Sequence, residues 1–228
     1  IVTKGYDGTM DANQMLDYAE SGIFEISQAR QKGQYSHIRD VLVENLAIID
    51  RAEQMDGGLT GITTGFSKLD EMTSGMQKSD LIILAARPAM GKTAFALSLA
   101  RNAAVKGKAS VMIFSLEMAK EQLTQRLLSM ESKVDLQTLK TGRLERRDWD
   151  DLNVALDILS NSNIHIDDTA GISIMEMKSK CRRLKAEAGL DLVIIDYLQL
   201  MNPEGKADSR TQEISVISRN LKLLAREL

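Results

Sequence analysis

The sequence predicts an α/β fold, an open parallel sheet built around a phosphate-binding loop and preceded by a helical linker. Three observations carry this. Short apolar runs alternate with amphipathic stretches of helical period, the pattern of βαβ units. One run, residues 81–85 (LIILA), passes directly into Ala86-Arg87-Pro88-Ala89-Met90-Gly91-Lys92-Thr93 and then into the helix-forming stretch 94–100. Another, residues 192–195 (LVII), is closed by Asp196.

Residues 1–9 hold Gly5, Asp7 and Gly8 and read as a loose lead-in. From Asp11, the positions Met15, Leu16, Ala19, Ile23, Phe24 and Ile26 recur at helical spacing, and the polar stretch 28–34 reads as a linker. A second amphipathic helix carries the stripe Ile38, Val41, Leu42, Leu46 and Ile49, extends toward Met55 and stops at Asp56-Gly57-Gly58. These two helices have apolar faces but no core, so each must dock on something. The domain that follows and a second copy of the protein are equally open as that surface.

The globular domain begins near Leu59 with a turn-rich prelude, TGFSKLD at 64–70 and TSGM at 73–76. Residues 81–85 are apolar throughout, as a strand buried on both faces of a parallel sheet must be. Residues 110–115 (SVMIFS) read as the next strand, followed by helices at 119–130 and 146–159. Residues 163–167 (NIHID) form a short strand, 174–188 a helix, and 192–195 a strand. A polar loop at 202–210 leads to a last helix with the stripe Ile214, Ile217, Leu221, Leu224 and Leu228. In an open sheet of this kind, ligands gather at the carboxyl ends of the strands.

The loop after residues 81–85 explains what that ligand is. Backbone N–H groups that wrap an anion, at the positive end of a following helix, form a phosphate cradle. Gly91 lets the backbone approach closely, Lys92 reaches the β- and γ-phosphates of ATP, and the Thr93 hydroxyl ligates Mg²⁺. The general pattern places a glycine where Ala86 stands, which requires Ala86 to keep φ below zero. Asp196, a carboxylate at the end of a buried strand, has the form of a Walker B group that orients Mg²⁺ beside Thr93. Hydrolysis further needs a group to activate water. Glu117, just after the strand 111–115, is the candidate. Spacing alone leaves open that it is a helix-start carboxylate with Ser115 as the cap.

Of 228 residues, 29 are basic and 32 acidic, so net charge does not favour nucleic acid and any such binding needs a local patch or an assembled surface. Cys181 is the only cysteine, an incidental structural thiol that excludes an internal disulfide. His37 and His165 lack ligand-spaced partners, so no transition-metal site is expected. There is no apolar run of membrane-spanning length and no signal peptide, which makes the cytoplasm the default location and a membrane an unexpected partner. The chain lacks an initial methionine and stops in a helix at Leu228, so it is expected to be part of a longer protein.

Residues 86–93 (ARPAMGKT), 114–118 (FSLEM), 196–201 (DYLQLM) and 210–228 (RTQEISVISRNLKLLAREL) together resemble the replicative DNA helicases of the DnaB family, over nearly the whole chain from Asp11. Ala86 in place of glycine fits that family's loop, and the prelude 64–70 agrees with RecA-like proteins generally. The resemblance implies a RecA-like P-loop NTPase core at 58–228, a docking linker helix at 35–57 that packs on a neighbouring subunit, and a junction helix at 1–34 from a missing amino-terminal domain. It implies Glu117 and Lys92 as catalytic residues, residues 86–93 with Asp196 and Gln199 as the nucleotide site, and Thr93 with Asp196 as the metal site. It further implies ATP and Mg²⁺, a homohexameric ring moving 5′ to 3′ on single-stranded DNA, primase and a helicase loader as partners, and a nucleoid-associated place in the cytoplasm. The strand with a γ-phosphate-sensing Gln, the arginine finger and a DNA-contacting loop are expected beyond Leu228, so this stretch alone should turn over ATP poorly.

Several assignments stay open on the residues. Gln199 and Tyr197 either sense nucleotide or DNA state or form a buried edge beside the Walker B strand. Lys206, Arg210, Arg219, Lys222 and Arg226 contact DNA or a subunit, or form a solvated face, since Glu204, Asp208, Glu213 and Glu227 interleave with them. Trp149 is an exposed contact residue or a core anchor. Competing functions are another RecA-like ATPase and a non-motor module that uses ATP as a switch.

Overall fold

A computed structural model describes residue 21 and residues 37–54, 59–202 and 209–228. The expected junction helix and linker at 1–34, the stop at 56–58, and Lys206, Glu204 and Asp208 lie outside the described residues, Ser21 excepted. Helix α1 (Ile38–Gln54) comes first; Ile38, Val41, Leu42, Leu46 and Ile49 are all exposed, so its apolar stripe is uncovered. Helices α2 (Ser67–Thr73) and α3 (Lys92–Arg101) follow, and α3 runs into a π-helical turn at Asn102–Lys106. Then come β1 (Val111–Ser115), α4 (Lys120–Ser132), α5 (Leu136–Thr141), α6 (Arg146–Ser160), β2 (Ile164–Asp167), α7 (Ile174–Ala188), β3 (Leu192–Asp196) and α8 (Arg210–Glu227).

The sheet is parallel with the order β2-β1-β3. Its centre, β1, is buried at every residue, and its side chains alternate between two cores as the strand period of two requires. Val111 and Ile113 face a core with Leu97, Ala100, Ala103, Ala104, Leu123 and Leu127 from the α3 and α4 side. Met112 and Phe114 face the other, with Met177 and Cys181 of α7 and Ile217, Leu221 and Leu224 of α8. Helices on both faces explain why β1 is a continuous apolar run. Cys181 is sealed in this core, where burial, helped by the nearby Asp167 carboxylate, pushes its thiol up to about 12. It is therefore a packed apolar group.

The run 81–85 does not form the expected buried strand. It pairs with no strand among the described residues, and Ile82, Ile83 and Leu84 are exposed, Ile83 by 70%. The reason is that a strand is stabilised by a neighbour's N–H and C=O groups and by side chains above and below it. None of the described elements supplies a ladder here. Four elements were not anticipated: α2, within the stretch expected to be turn-rich, the π-helical turn, α5 and a 3-10 turn at Leu198–Leu200. Helix α5 has the signature of a capped helix: Asp135 accepts the N–H groups of Gln137 and Thr138, and Gly142 ends it at φ +68°.

The prelude is organised by Asp70 on α2. Its carboxylate accepts the hydroxyls of Thr63 and Thr64, each at 2.6 Å, and the Thr64 N–H at 2.8 Å. Asn102 then donates to the Thr64 carbonyl at 3.0 Å, and Phe66 stacks on Phe95 of α3 with centroids 5.1 Å apart. The segment is thus fastened to the helix that follows the loop.

Desolvation would raise the Asp70 pKa, but the bonds from Thr63, Thr64 and Gly65 outweigh it and hold the carboxyl below its usual range. Asp167 is likewise held low, because its bond to Lys180 at 2.7 Å overcomes burial. A carboxyl lowered on folding stabilises the fold above its unfolded value, about 3.9, and loses that contribution as pH falls through the folded one. Thermal melts should therefore show stability dropping below about pH 4, with a shallower acid slope in Asp70→Asn. An unchanged slope would remove Asp70 from the explanation.

Candidate active site

Residues 86–91 form an irregular loop ahead of α3. Met90 N–H donates to the Arg87 carbonyl at 3.2 Å, a tight turn around Pro88, and Ala89 sits at the apex with φ +62°. Gly91 is the residue before α3 with φ +84°. A Cβ there would meet nothing within 4 Å, so glycine is needed for its dihedral rather than for close packing within the chain. Ala86 is not among the residues of positive φ, as an alanine at that position requires. Among the described residues no side chain caps α3, so its first N–H groups remain open at the positive end of the helix.

Asp196, at the end of β3, is where the loop and the sheet meet. The Thr93 hydroxyl donates to its Oδ2 at 2.5 Å across 103 residues of sequence, and Lys92 Nζ lies 2.9 Å from Oδ1. Lys92 Nζ also stands 4.3 Å over the Tyr197 ring. The nearly buried carboxylate is thus neutralised by the lysine, and both first residues of α3 are tied to the end of β3.

Glu117 lies one residue beyond Leu116, whose N–H donates to the Asp196 carbonyl at 2.8 Å; Ser115 is the direct strand partner of Asp196. Glu117 is exposed and precedes α4 rather than opening it, since the residue before that helix is Ala119. Ser115 does not cap α4; its hydroxyl donates to the Met118 carbonyl at 2.6 Å and closes the intervening turn. The helix-start alternative for Glu117 is therefore not what the chain builds.

Thr93 and Asp196 present hard oxygen donors, the kind that suits Mg²⁺. Among the described residues no group of three or more His, Cys, Asp or Glu could hold a metal alone. A cation here would have to complete its shell with phosphate oxygens and water, which is how Mg²⁺ is usually held beside a nucleotide.

Residues 61–228 match the family described as DnaB-like helicase C terminal domain. The chain belongs to that family. It is 48% identical over 229 residues to "Replicative DNA helicase DnaB" of Geobacillus stearothermophilus, and 49% identical over 229 residues to "Replicative DNA helicase DnaC" of Bacillus subtilis (strain 168). Each alignment covers 100% of this chain and 50% of the relative, so the chain spans about half the length of the curated relatives it matches. Among solved structures, one described as an "ATPase Domain" aligns with TM-score 0.78 and 41% identity, covering 85% of this chain and 68% of that one. "The Structure Of A DnaB-Like Replicative Helicase And Its Interactions With Primase" aligns with TM-score 0.73 and 39% identity, covering 91% and 50%. The RecA-like α/β core expected from the sequence is the fold of this DnaB-like domain.

The remaining candidates separate in this DnaB-like domain. Gln199 lies in a short 3-10 turn at Leu198–Leu200 and is exposed, so the buried-edge alternative does not apply to it; its carbonyl accepts from Arg210. Arg210 also pairs with Glu213 at 2.5 Å, and Lys222 donates to the Ser79 carbonyl at 2.8 Å. Arg219 and Arg226 line an open groove of about 680 Å³ between α8 and Leu81. Trp149 is 55% exposed on α6, which removes the core-anchor alternative. Among the described residues no helix is long and apolar enough to cross a membrane. The role of Asp70 and its threonines was not expected from the sequence, although two threonines seven and six residues before an Asp on the next helix are a local signal.

Proposed function

We propose that this domain is the ATP-hydrolysing motor of a replicative DNA helicase, working as a homohexameric ring that moves 5′ to 3′ on single-stranded DNA. The observation that carries this reading is the meeting of Lys92 and Thr93 with Asp196 at the sheet edge where the Glu117 turn emerges. Residues 86–93 bind the phosphates of ATP through open N–H groups and Lys92. Thr93 and Asp196 would hold Mg²⁺, which when bound would neutralise phosphate charge. Glu117 accepts a proton from water as the water oxygen bonds to the γ-phosphorus. The bond to the β–γ bridging oxygen breaks, and its electron pair leaves with ADP. Gln199 and Tyr197, on the segment after Asp196, sense the nucleotide in this reading.

The uncovered stripe of α1 docks on a neighbouring subunit, which gives residues 35–57 the role of linker and residues 58–228 that of motor. Residues 1–34 join it to an amino-terminal domain. The names of the relatives support a role in replication, and the primase named with one structural neighbour supports primase as a partner. A loader, and a place at the nucleoid in the cytoplasm, follow from the same reading.

The test is unwinding of forked DNA by the full-length protein with ATP and Mg²⁺. A fork with a 5′ single-stranded tail should be opened and one with only a 3′ tail should not. Removing residues 36–54 should abolish opening and shift particle mass from hexamer toward monomer. Opening from the 3′ tail alone, or a hexamer that survives the deletion, would contradict the respective assignments.

A further inference from the structure

Helix α4 has no N-terminal cap of its own. The residue before it, Ala119, is extended (φ −65°, ψ 149°), and no side chain of the local sequence bonds the first N–H groups. The cap comes from the loop after β2, where Asp168 Oδ2 accepts the Lys120 N–H at 3.1 Å from 48 residues away. A carboxylate in that place also faces the positive end of the helix. The loop bearing Asp168 is itself fixed. Asp167 accepts the Thr169 N–H at 2.8 Å and the Lys180 ammonium at 2.7 Å, and Lys180 reaches Thr169 Oγ1 at 3.1 Å and Glu176 at 3.0 Å.

These contacts flank Glu117. On one side Leu116 N–H is held by the Asp196 carbonyl; on the other Met118 is held by the Ser115 hydroxyl and Lys120 by Asp168. Among the described residues no side chain bonds the Glu117 carboxylate, so its place is set by the backbone on either side. We infer that Asp168 is a positioning residue for hydrolysis: by capping α4 from the β2–α7 loop it fixes the turn that carries Glu117 against the end of β3. The inference rests on the reading of Glu117 as the water-activating base. It also links the β2 edge of the sheet to the nucleotide edge, because a shift of the β2–α7 loop moves the start of α4.

The test is steady-state ATP hydrolysis by the full-length protein with an oligodeoxythymidine. Asp168→Ala should lower kcat about tenfold with KM for ATP unchanged, because displacing a reacting group by a fraction of an ångström costs rate rather than binding. Asp168→Asn keeps an acceptor oxygen and should restore kcat. Lys120→Pro removes the N–H at the first helical position, where proline is tolerated and where Ala119 already has the extended conformation that precedes proline, so it should reproduce the loss in a folded protein. In a Glu117→Gln background, Asp168→Ala should add no further loss. Parent-like kcat in Asp168→Ala, or an equal fold-loss with and without Glu117, would overturn the inference. Parent-like hydrolysis in Glu117→Gln alone would instead overturn the reading of Glu117, and the single substitution shows this independently.

Discussion

Glu117→Gln should bind ATP as the parent does and lose its hydrolysis. The amide keeps the size of the side chain and cannot accept a proton, so only the water-activation step is removed. General-base catalysis contributes on the order of 10²–10⁴ in rate, and the loss in kcat should fall in that range. Affinity should be little changed, because exposed Glu117 follows the β1 end, whereas the proposed grip on the phosphates is that of residues 86–93 and Lys92. Single-turnover hydrolysis together with nucleotide binding separates the two effects. Undiminished hydrolysis would take Glu117 out of the mechanism and favour a domain that uses ATP only as a switch.

Lys92→Ala should weaken nucleotide binding itself. A hydrogen bond to a charged group contributes roughly 1.5–3 kcal/mol, so ATP affinity should fall about ten- to a hundredfold and hydrolysis at ordinary ATP concentrations with it. The contacts of Lys92 within the chain add a second effect: it neutralises Asp196 and stands over the Tyr197 ring. In the variant, Asp196 keeps the Thr93 hydroxyl and loses its cation, which lowers the melting temperature of the nucleotide-free protein. Bound ligand stabilises by mass action, about 2.7 kcal/mol at a hundred times Kd. At that concentration ATP with Mg²⁺ should thus raise the melting temperature of the variant about half as much as that of the parent, or less.

What could be read from the sequence was what is encoded locally. Strands β1 and β3 and helices α6 and α7 fall within a residue or two of their expected bounds, because apolar period and turn chemistry act over a few residues. The approach of Thr93 and Lys92 to Asp196 was legible for another reason: the phosphate-loop motif calls for a carboxylate at a strand end beside its Lys and Thr, whatever the separation in sequence. Residues 81–85 went the other way. Their composition asks for a strand, but a strand exists only with a neighbour, and composition does not say whether one is supplied. Asp168 was illegible for the same kind of reason. A cap supplied from 48 residues away leaves no trace beside Ala119, where a local Ser, Thr, Asp or Asn would have been the signal. Trp149 and the stripe of α1 show a further limit, since an apolar side chain on an amphipathic helix reads the same whether it meets its own core or faces outward.

The central claim is that the loop before α3 holds a triphosphate with Lys92. Its most direct test is calorimetric titration of ATP with Mg²⁺ into the full-length protein, beside the same titration of Lys92→Ala. The account predicts saturable binding by the parent and at least about tenfold weaker binding by the variant. Equal affinities in two folded proteins would place the nucleotide elsewhere and contradict it.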